Sequence, residues 1–192
     1  RVTPRPLLDL KLLRLTTFEA GITGSLFFRF GVGASAFLLP LMLQLAFGLD
    51  ALHSGPITFA GAMGALSVKP FARPILRLTG FRSLLLINGV LASLTLAAYG
   101  FFTSETPHAL IIALLLVSGF LRSLQFTSFQ AITYADVAPA EVSSATSIAS
   151  VAQQVSISLG VAIGAFVLEA SEALNGHLIP QTSDFAVAFF VV

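Results

Sequence analysis

The side chains with the most chemical potential in this sequence are two arginines set inside long apolar runs, Arg29 and Arg122. Arg29 stands among Leu26, Phe27, Phe28, Phe30 and Val32 in a run that opens near Gly21 and closes near Phe47. At 1.5 Å of rise per helical residue it lies roughly 15 Å deep, near the middle of a bilayer core of about 30 Å. A central arginine costs about 2.5–3.5 kcal/mol on insertion scales, so it needs an aqueous or paired setting. Two readings are open for each arginine: a guanidinium on a substrate or ion pathway, or a structural cation that snorkels or pairs with helix carbonyls. Neither has a carboxylate within its own run. Asp9, Glu19, Asp50, Glu105, Asp136, Glu141, Glu169, Glu172 and Asp184 all fall in loops or at run ends. Glu19 is too far in sequence from Arg29, and Asp136 from Arg122, to meet along one helix.

Neutral polar groups form a second constellation. Ser143, Ser147, Ser150, Gln154 and Ser158 recur at steps of three and four, which stacks them on one side of a helix, with Thr146 and Gln153 flanking them. Such a stripe looks into protein or water rather than lipid. Close helix packing is the favoured use of the serines, and lining a cavity is favoured for Gln154. Gly160 and Gly164 offer a small-xxx-small packing contact further on. Ser118, Arg122, Gln125 and Thr133 share roughly one face of another run, while Pro40 and Gln44 interrupt the run of Arg29, where a freed carbonyl can serve a transporter.

Several chemistries are excluded. The sequence has no cysteine, which removes disulfides, thiolate metal sites and cysteine nucleophiles. His53, His108 and His177 stand in separate loops without metal-ligand spacing, and no phosphate-binding glycine loop ending in Lys-Ser or Lys-Thr is present. No metal, cofactor or hydrolase triad is therefore expected. A formal net charge of +1 gives no footprint for nucleic acid.

The elements that must position these residues follow from composition. Of 192 residues 56% are hydrophobic and 10% charged, with mean hydropathy +0.92. A soluble domain carries about 25% charged residues to wet its surface. Apolar runs bounded by polar or turn residues cover about 21–47, 55–68, 84–102, 109–134 and 144–168, and another opens near 185. These predict membrane-spanning helices. The second is the shortest, holds Gly55, Pro56, Gly61 and Gly64, and is expected to continue past Lys69. Buried helices of a large soluble enzyme are the competing explanation, but charge asymmetry speaks against it. Arg1, Arg5, Lys11 and Arg14 precede the first run, and Lys69, Arg73, Arg77 and Arg82 fill the loop after the second. The connections 48–54, 103–108 and 169–183 hold no Lys or Arg. The leader 1–17 and the basic loop are thus expected on the cytoplasmic side. The expected architecture is an all-α membrane protein, with a bundle over 18–192 that belongs to a longer chain.

The order of motifs resembles a known family. Leu39-Pro40-Leu41-Met42-Leu43-Gln44, then Gly48 and Ser54-Gly55-Pro56, is similar to the first span pair in the C-terminal half of fourteen-span drug:proton antiporters of the major facilitator superfamily, the EmrB/QacA type. The leader from Pro6 to Arg14 resembles the cytoplasmic segment entering that half, and Gln153 to Ala162 resembles the penultimate span. Arg29-Phe30-Gly31-Val32-Gly33 and Leu124-Gln125-Phe126-Thr127 look nearest to its MdtD- and HsrA-like branch. The superfamily's cytoplasmic signature loop falls on Lys69 to Arg82. Gly80 and Arg82 match it, whereas Arg73 and Arg77 replace its first glycine and its aspartate. The resemblance implies a C-terminal six-span bundle with a truncated last span, packed against an N-terminal half in a bacterial inner membrane. It implies proton-coupled export of hydrophobic or cationic compounds by alternating access, with Arg29, Gln44, Arg122, Gln125 and Gln154 on the pathway. A solute importer of the same superfamily and a non-transporting scaffold are the alternatives.

Overall fold

The computed structural model describes residues 10–192, with the Leu10 and Arg73 side chains left aside; the first nine residues of the predicted leader lie outside the described residues. Every regular element among the described residues is helical. A short 3₁₀ turn, Leu10–Arg14, leads into α1, Thr16–Leu41, followed by α2, Ala51–Ser67, and the short α3, Ala72–Thr79. The chain continues through α4, Phe81–Ala98, α5, His108–Thr133, α6, Val142–Asn175, and α7, Thr182–Val191. Four helical stretches are long and apolar enough to cross a membrane: Thr16–Ala46, Phe81–Phe101, His108–Thr133 and Val142–Asn175. At 17 residues α2 is just shorter.

Helix ends follow local chemistry. Asp50 caps α2 by accepting from the His53 backbone N–H at 2.9 Å and pairs with His53 Nδ1 at 2.5 Å. The His53 side chain, and then its N–H, hold that carboxyl below its ordinary range. The second helix does not run on past Lys69: it stops at Ser67, and α3 begins at Ala72. Pro70 explains the break, because it lacks the N–H that would continue the helical ladder to the Leu66 carbonyl. In the other direction α6 outruns the expected 144–168, so that Glu169 and Glu172 lie in its last turns. It ends at Gly176, whose φ of 70° is a left-handed conformation that glycine adopts without a Cβ penalty.

The helices pair through small residues. α1 and α6 run in the same direction: Ile22 packs in one cluster with Ala145, while Ala34 lies against Gly164 further along. A Cβ on Gly160 would overlap the Phe30 carbonyl, and one on Gly33 the Ile157 carbonyl. α2 and α5 pair likewise, with Gly64 against Leu116 and Gly119 against the Gly61 carbonyl. Without water to drive apolar surfaces together inside a bilayer, such close backbone approach supplies the packing contact. The surface left over is apolar, as a lipid-facing one should be: Phe27 is 69% exposed, Val90 61% and Phe166 71%.

One end of the bundle collects the start of α1, the end of α5 and the start of α6 around Leu12, Phe18, Ile22 and Ala145. Thr17 Oγ1 donates to Asp136 Oδ2 at 2.9 Å across this end. The larger core, with Leu38, Met42, Ile57, Phe102, Ile111, Leu168 and Phe185, fills the opposite end. Lys11 and Arg14 belong to the first end, and the connections of the second carry no Lys or Arg.

Candidate functional site

Arg29 sits at mid-length of α1 and is 8% exposed. Its helix puts it beside α5, where Cζ lies 4.5 Å from the Phe126 ring centroid. Phe126 also meets Phe28 edge-on, with centroids 5.4 Å apart, so the ring is held in place from two positions of α1. The buried Nε has no hydrogen-bond partner among the described residues. A cation–π contact contributes about 0.5–2 kcal/mol, whereas burying an ion costs several kcal/mol after relaxation. The aromatic contact alone therefore does not offset the burial of this cation.

The guanidinium lines a cavity of about 150 Å³ bounded by α1, α5 and α6. Ser25, Gln130, Thr133, Thr146, Ser150 and Gln153 contribute polar groups to its wall. Ser25, Thr133 and Thr146 donate their hydroxyls to carbonyls of their own helices, at 2.8, 2.7 and 2.8 Å. Among the described residues the side chains of Gln130, Ser150 and Gln153 have no hydrogen-bond partner. Of these wall residues, periodicity singled out Thr133, Thr146, Ser150 and Gln153, whereas Ser25 and Gln130 were missed because neither was placed on those polar faces.

Arg122 goes elsewhere. It is half-buried and lines a second cavity of about 190 Å³ with Ser35, Pro40, Thr58 and Tyr99, toward the opposite end of the bundle. Gln125 is 2% exposed and its amide is engaged at both ends: Oε1 accepts from Asn88 Nδ2 at 2.7 Å and Nε2 donates to the Leu85 carbonyl at 3.1 Å. Asn88 also donates to the Leu121 carbonyl at 2.9 Å. This clamp joins α4 to α5, and Asn88 was not anticipated because one amide in an apolar run has no pattern. Gln44 is exposed on a widened π-type turn, Met42–Ala46, that follows Pro40. There Phe47 donates to the Met42 carbonyl at 3.1 Å, in place of an ordinary helical bond.

Gln154 is exposed, as are Ser143, Ser147, Ser150 and Ser158. These serines do not take part in the contact between α6 and α1, which runs through Ala145, Ser156, Gly160 and Gly164 on the other face of α6. In the basic loop Lys69, Arg77, Gly80 and Arg82 are exposed, while Ile75 and Leu76 of α3 pack against Val68, Leu84 and Leu124. Arg73 falls at the start of α3.

A further polar cluster escaped sequence reasoning. Asp184, which the sequence places at a span end, is fully buried and accepts from Ser171 Oγ at 2.8 Å, Asn175 Nδ2 at 2.8 Å, His177 Nδ1 at 2.7 Å and the Gln181 N–H at 3.0 Å. Burial raises its pKa, but these donors outweigh burial and bring the carboxyl to about 2. Its partners come from the end of α6 and the connection to α7. Among the described residues no group of His, Asp and Glu has the arrangement to hold a metal ion.

A family model for the Major Facilitator Superfamily matches residues 2–169. Relatives include multidrug resistance protein MdtD of Pectobacterium carotovorum, 29% identical over 88% of this chain and 36% of the relative. MdtD of Cronobacter sakazakii is 30% identical over 88% of this chain and 36% of its own length. Transport protein HsrA of Haemophilus influenzae is 29% identical over 84% of this chain and 35% of its own. The chain thus spans about a third of the length of these curated relatives. No solved structure matches it. Long apolar helices paired through glycines, a polar face on α6 and a family match over most of the chain agree: this chain belongs to the Major Facilitator Superfamily, as an all-α membrane segment of it.

Proposed function

We propose that this chain is the C-terminal bundle of a transporter that exports hydrophobic compounds, cationic ones among them, across a bacterial inner membrane in exchange for protons. The observation that carries this reading is the exposed polar stripe of Ser147, Ser150, Gln154 and Ser158 on a helix otherwise suited to the bilayer. Polar groups at membrane depth face a water-filled path or another part of the protein, because lipid cannot satisfy them. The names of the relatives, multidrug resistance and transport proteins, support the same class. The partner of the stripe is a preceding N-terminal half, for which the greater length of the relatives leaves room.

In this reading the two halves rock about a central path, with Arg29 and Arg122 serving cavities toward opposite ends and Gln44 and Gln154 exposed along it. Gln125 acts on the pathway by holding α4 to α5. The segment performs no covalent chemistry. Work comes from the difference in affinity between inward- and outward-open states. The basic loop, with Lys69, Arg73, Arg77, Gly80 and Arg82, lies on the cytoplasmic side.

The test is transport by the full-length protein in proteoliposomes, with and without an imposed pH gradient. Gradient-dependent efflux of a lipophilic cation is expected. Uptake of a solute down the same gradient would favour an importer, and no flux of any compound would remove the transporter reading.

A further inference from the structure

We infer that the cavity beside Arg29 is a binding site for an anionic oxygen group, a carboxylate or a phosphate. Three observations carry it. The first is Arg29 itself, a residue 8% exposed, with a buried Nε that has no hydrogen-bond partner among the described residues. A neighbouring ring satisfies one face of the guanidinium and none of its N–H donors.

The second is the wall. Ser150, Gln130 and Gln153 surround the same cavity as Arg29, and their side chains have no hydrogen-bond partner among the described residues. A hydroxyl and two amides can each donate to an oxygen held against the guanidinium. No Asp or Glu is among the lining residues, so nothing in the wall competes for the cation.

The third is size. The space of about 150 Å³ equals about five water molecules at roughly 30 Å³ each. It admits a carboxylate or phosphate head while leaving the rest of a larger molecule outside. Gln130, Thr146, Ser150 and Gln153 are exposed at its rim, which gives such a molecule a way in. Charge-assisted bonds from arginine to carboxylate or phosphate are about twice as strong as neutral ones, and the planar fork suits two oxygens at once.

The inference rests on the transporter reading only for placing this site on a transport pathway; binding itself does not depend on it. Its test therefore reads occupancy of Arg29 rather than flux. The full-length protein, delipidated in a neutral detergent, is treated with phenylglyoxal, and adducts at Arg29, Arg77 and Arg82 are followed by peptide mass spectrometry. Acetate, inorganic phosphate and phosphatidylglycerol in micelles are the probes, with phosphatidylcholine as the zwitterionic control.

Arg29 is expected to react without added anion and to slow about tenfold once acetate or phosphate is well above its dissociation constant. Arg77 and Arg82, exposed in the basic loop, should keep their rates. Protection by phosphatidylglycerol but not by acetate, phosphate or phosphatidylcholine would assign the anionic oxygen to a lipid headgroup. Equal Arg29 rates under every condition would overturn the site. So would an Arg29 that never reacts, since its guanidinium is then permanently paired within the whole protein. Export without protection removes the site and leaves the transporter, and protection without export does the reverse.

Discussion

The fully buried carboxylate of Asp184 accepts a hydrogen bond from Nδ1 of His177 at 2.7 Å, and this contact ties the connection after α6 to the first turn of α7. Asp184 also closes a reciprocal cap with Gln181, satisfying N–H groups that the helix itself leaves free. Ser171 and Asn175 reach the same carboxylate from the last turns of α6. One ionised side chain therefore fixes the angle between two helices.

That arrangement predicts an acid-sensitive junction. The folded carboxyl titrates at about 2 against an ordinary 3.8, so its stabilisation is complete above the unfolded value and fades as pH falls from about 4 toward 2. At the water-facing end of the bundle, screening limits the effect to on the order of 1–2 kcal/mol. Asp184→Asn should lower the unfolding temperature of the full-length protein at pH 7. It should also flatten the loss of stability below pH 4. Thermal unfolding in detergent across that range checks both, and an unchanged acid limb in the variant would refute the assignment.

The amide clamp between α4 and α5 makes a separable prediction. Replacing Asn88 or Gln125 alone by leucine leaves a buried partner unsatisfied, which costs about 1–3 kcal/mol. Replacing both should be milder than the sum, because no polar group is then left without a partner. A double-mutant cycle on unfolding temperature measures the coupling. Additive losses would mean that the Asn88–Gln125 bond carries no energy of its own.

Much of the fold was legible because a membrane helix advertises itself by length and hydropathy, and glycines at spacing four mark close approach. The boundaries near 109–134 fall within a residue of α5. The stop at Ser67 was signalled by Pro70 but overlooked, and the length of α6 was misjudged because Glu169 and Glu172 look like loop residues. At the site, Arg29 stood out because an arginine among phenylalanines needs an aqueous or paired setting at that depth. What it faces could not be read, since Phe126, Gln130 and Gln153 come from helices distant in sequence. Asn88 and the partners of Asp184 were invisible for another reason: a single polar residue has no period, and its satisfaction depends on packing.

Glycine contacts between α1 and α6 set a limit on substitution. A side chain at Gly33 or Gly160 would have to displace the facing backbone, so Gly160→Leu should prevent stable assembly. Gly55→Ala has nothing within 4 Å of its new Cβ and should be tolerated. Yield of monodisperse protein after detergent extraction distinguishes the two. Equal yields would show that the helices can separate without penalty.

The two faces of α6 give the sharpest test of where the polar stripe looks. The described segment contains no cysteine, so single thiols can be placed in a full-length protein whose other cysteines, if any, have been replaced. Gln154→Cys and Ser150→Cys stand on the exposed face, whereas Ser156→Cys is fully buried against α1. If the stripe lines a water-filled path, a membrane-impermeant maleimide should label Cys at 154 and 150 in sealed vesicles, and a transported compound should slow it. At 156 labelling should be slower by at least about tenfold, in proportion to the rare opening of a packed helix pair. Labelling by a lipid-soluble maleimide alone at 154 and 150 would place the stripe away from water. Labelling at 154 and 150 by neither reagent would mean that the hydroxyls and amide of the stripe serve contact with the other half of the transporter.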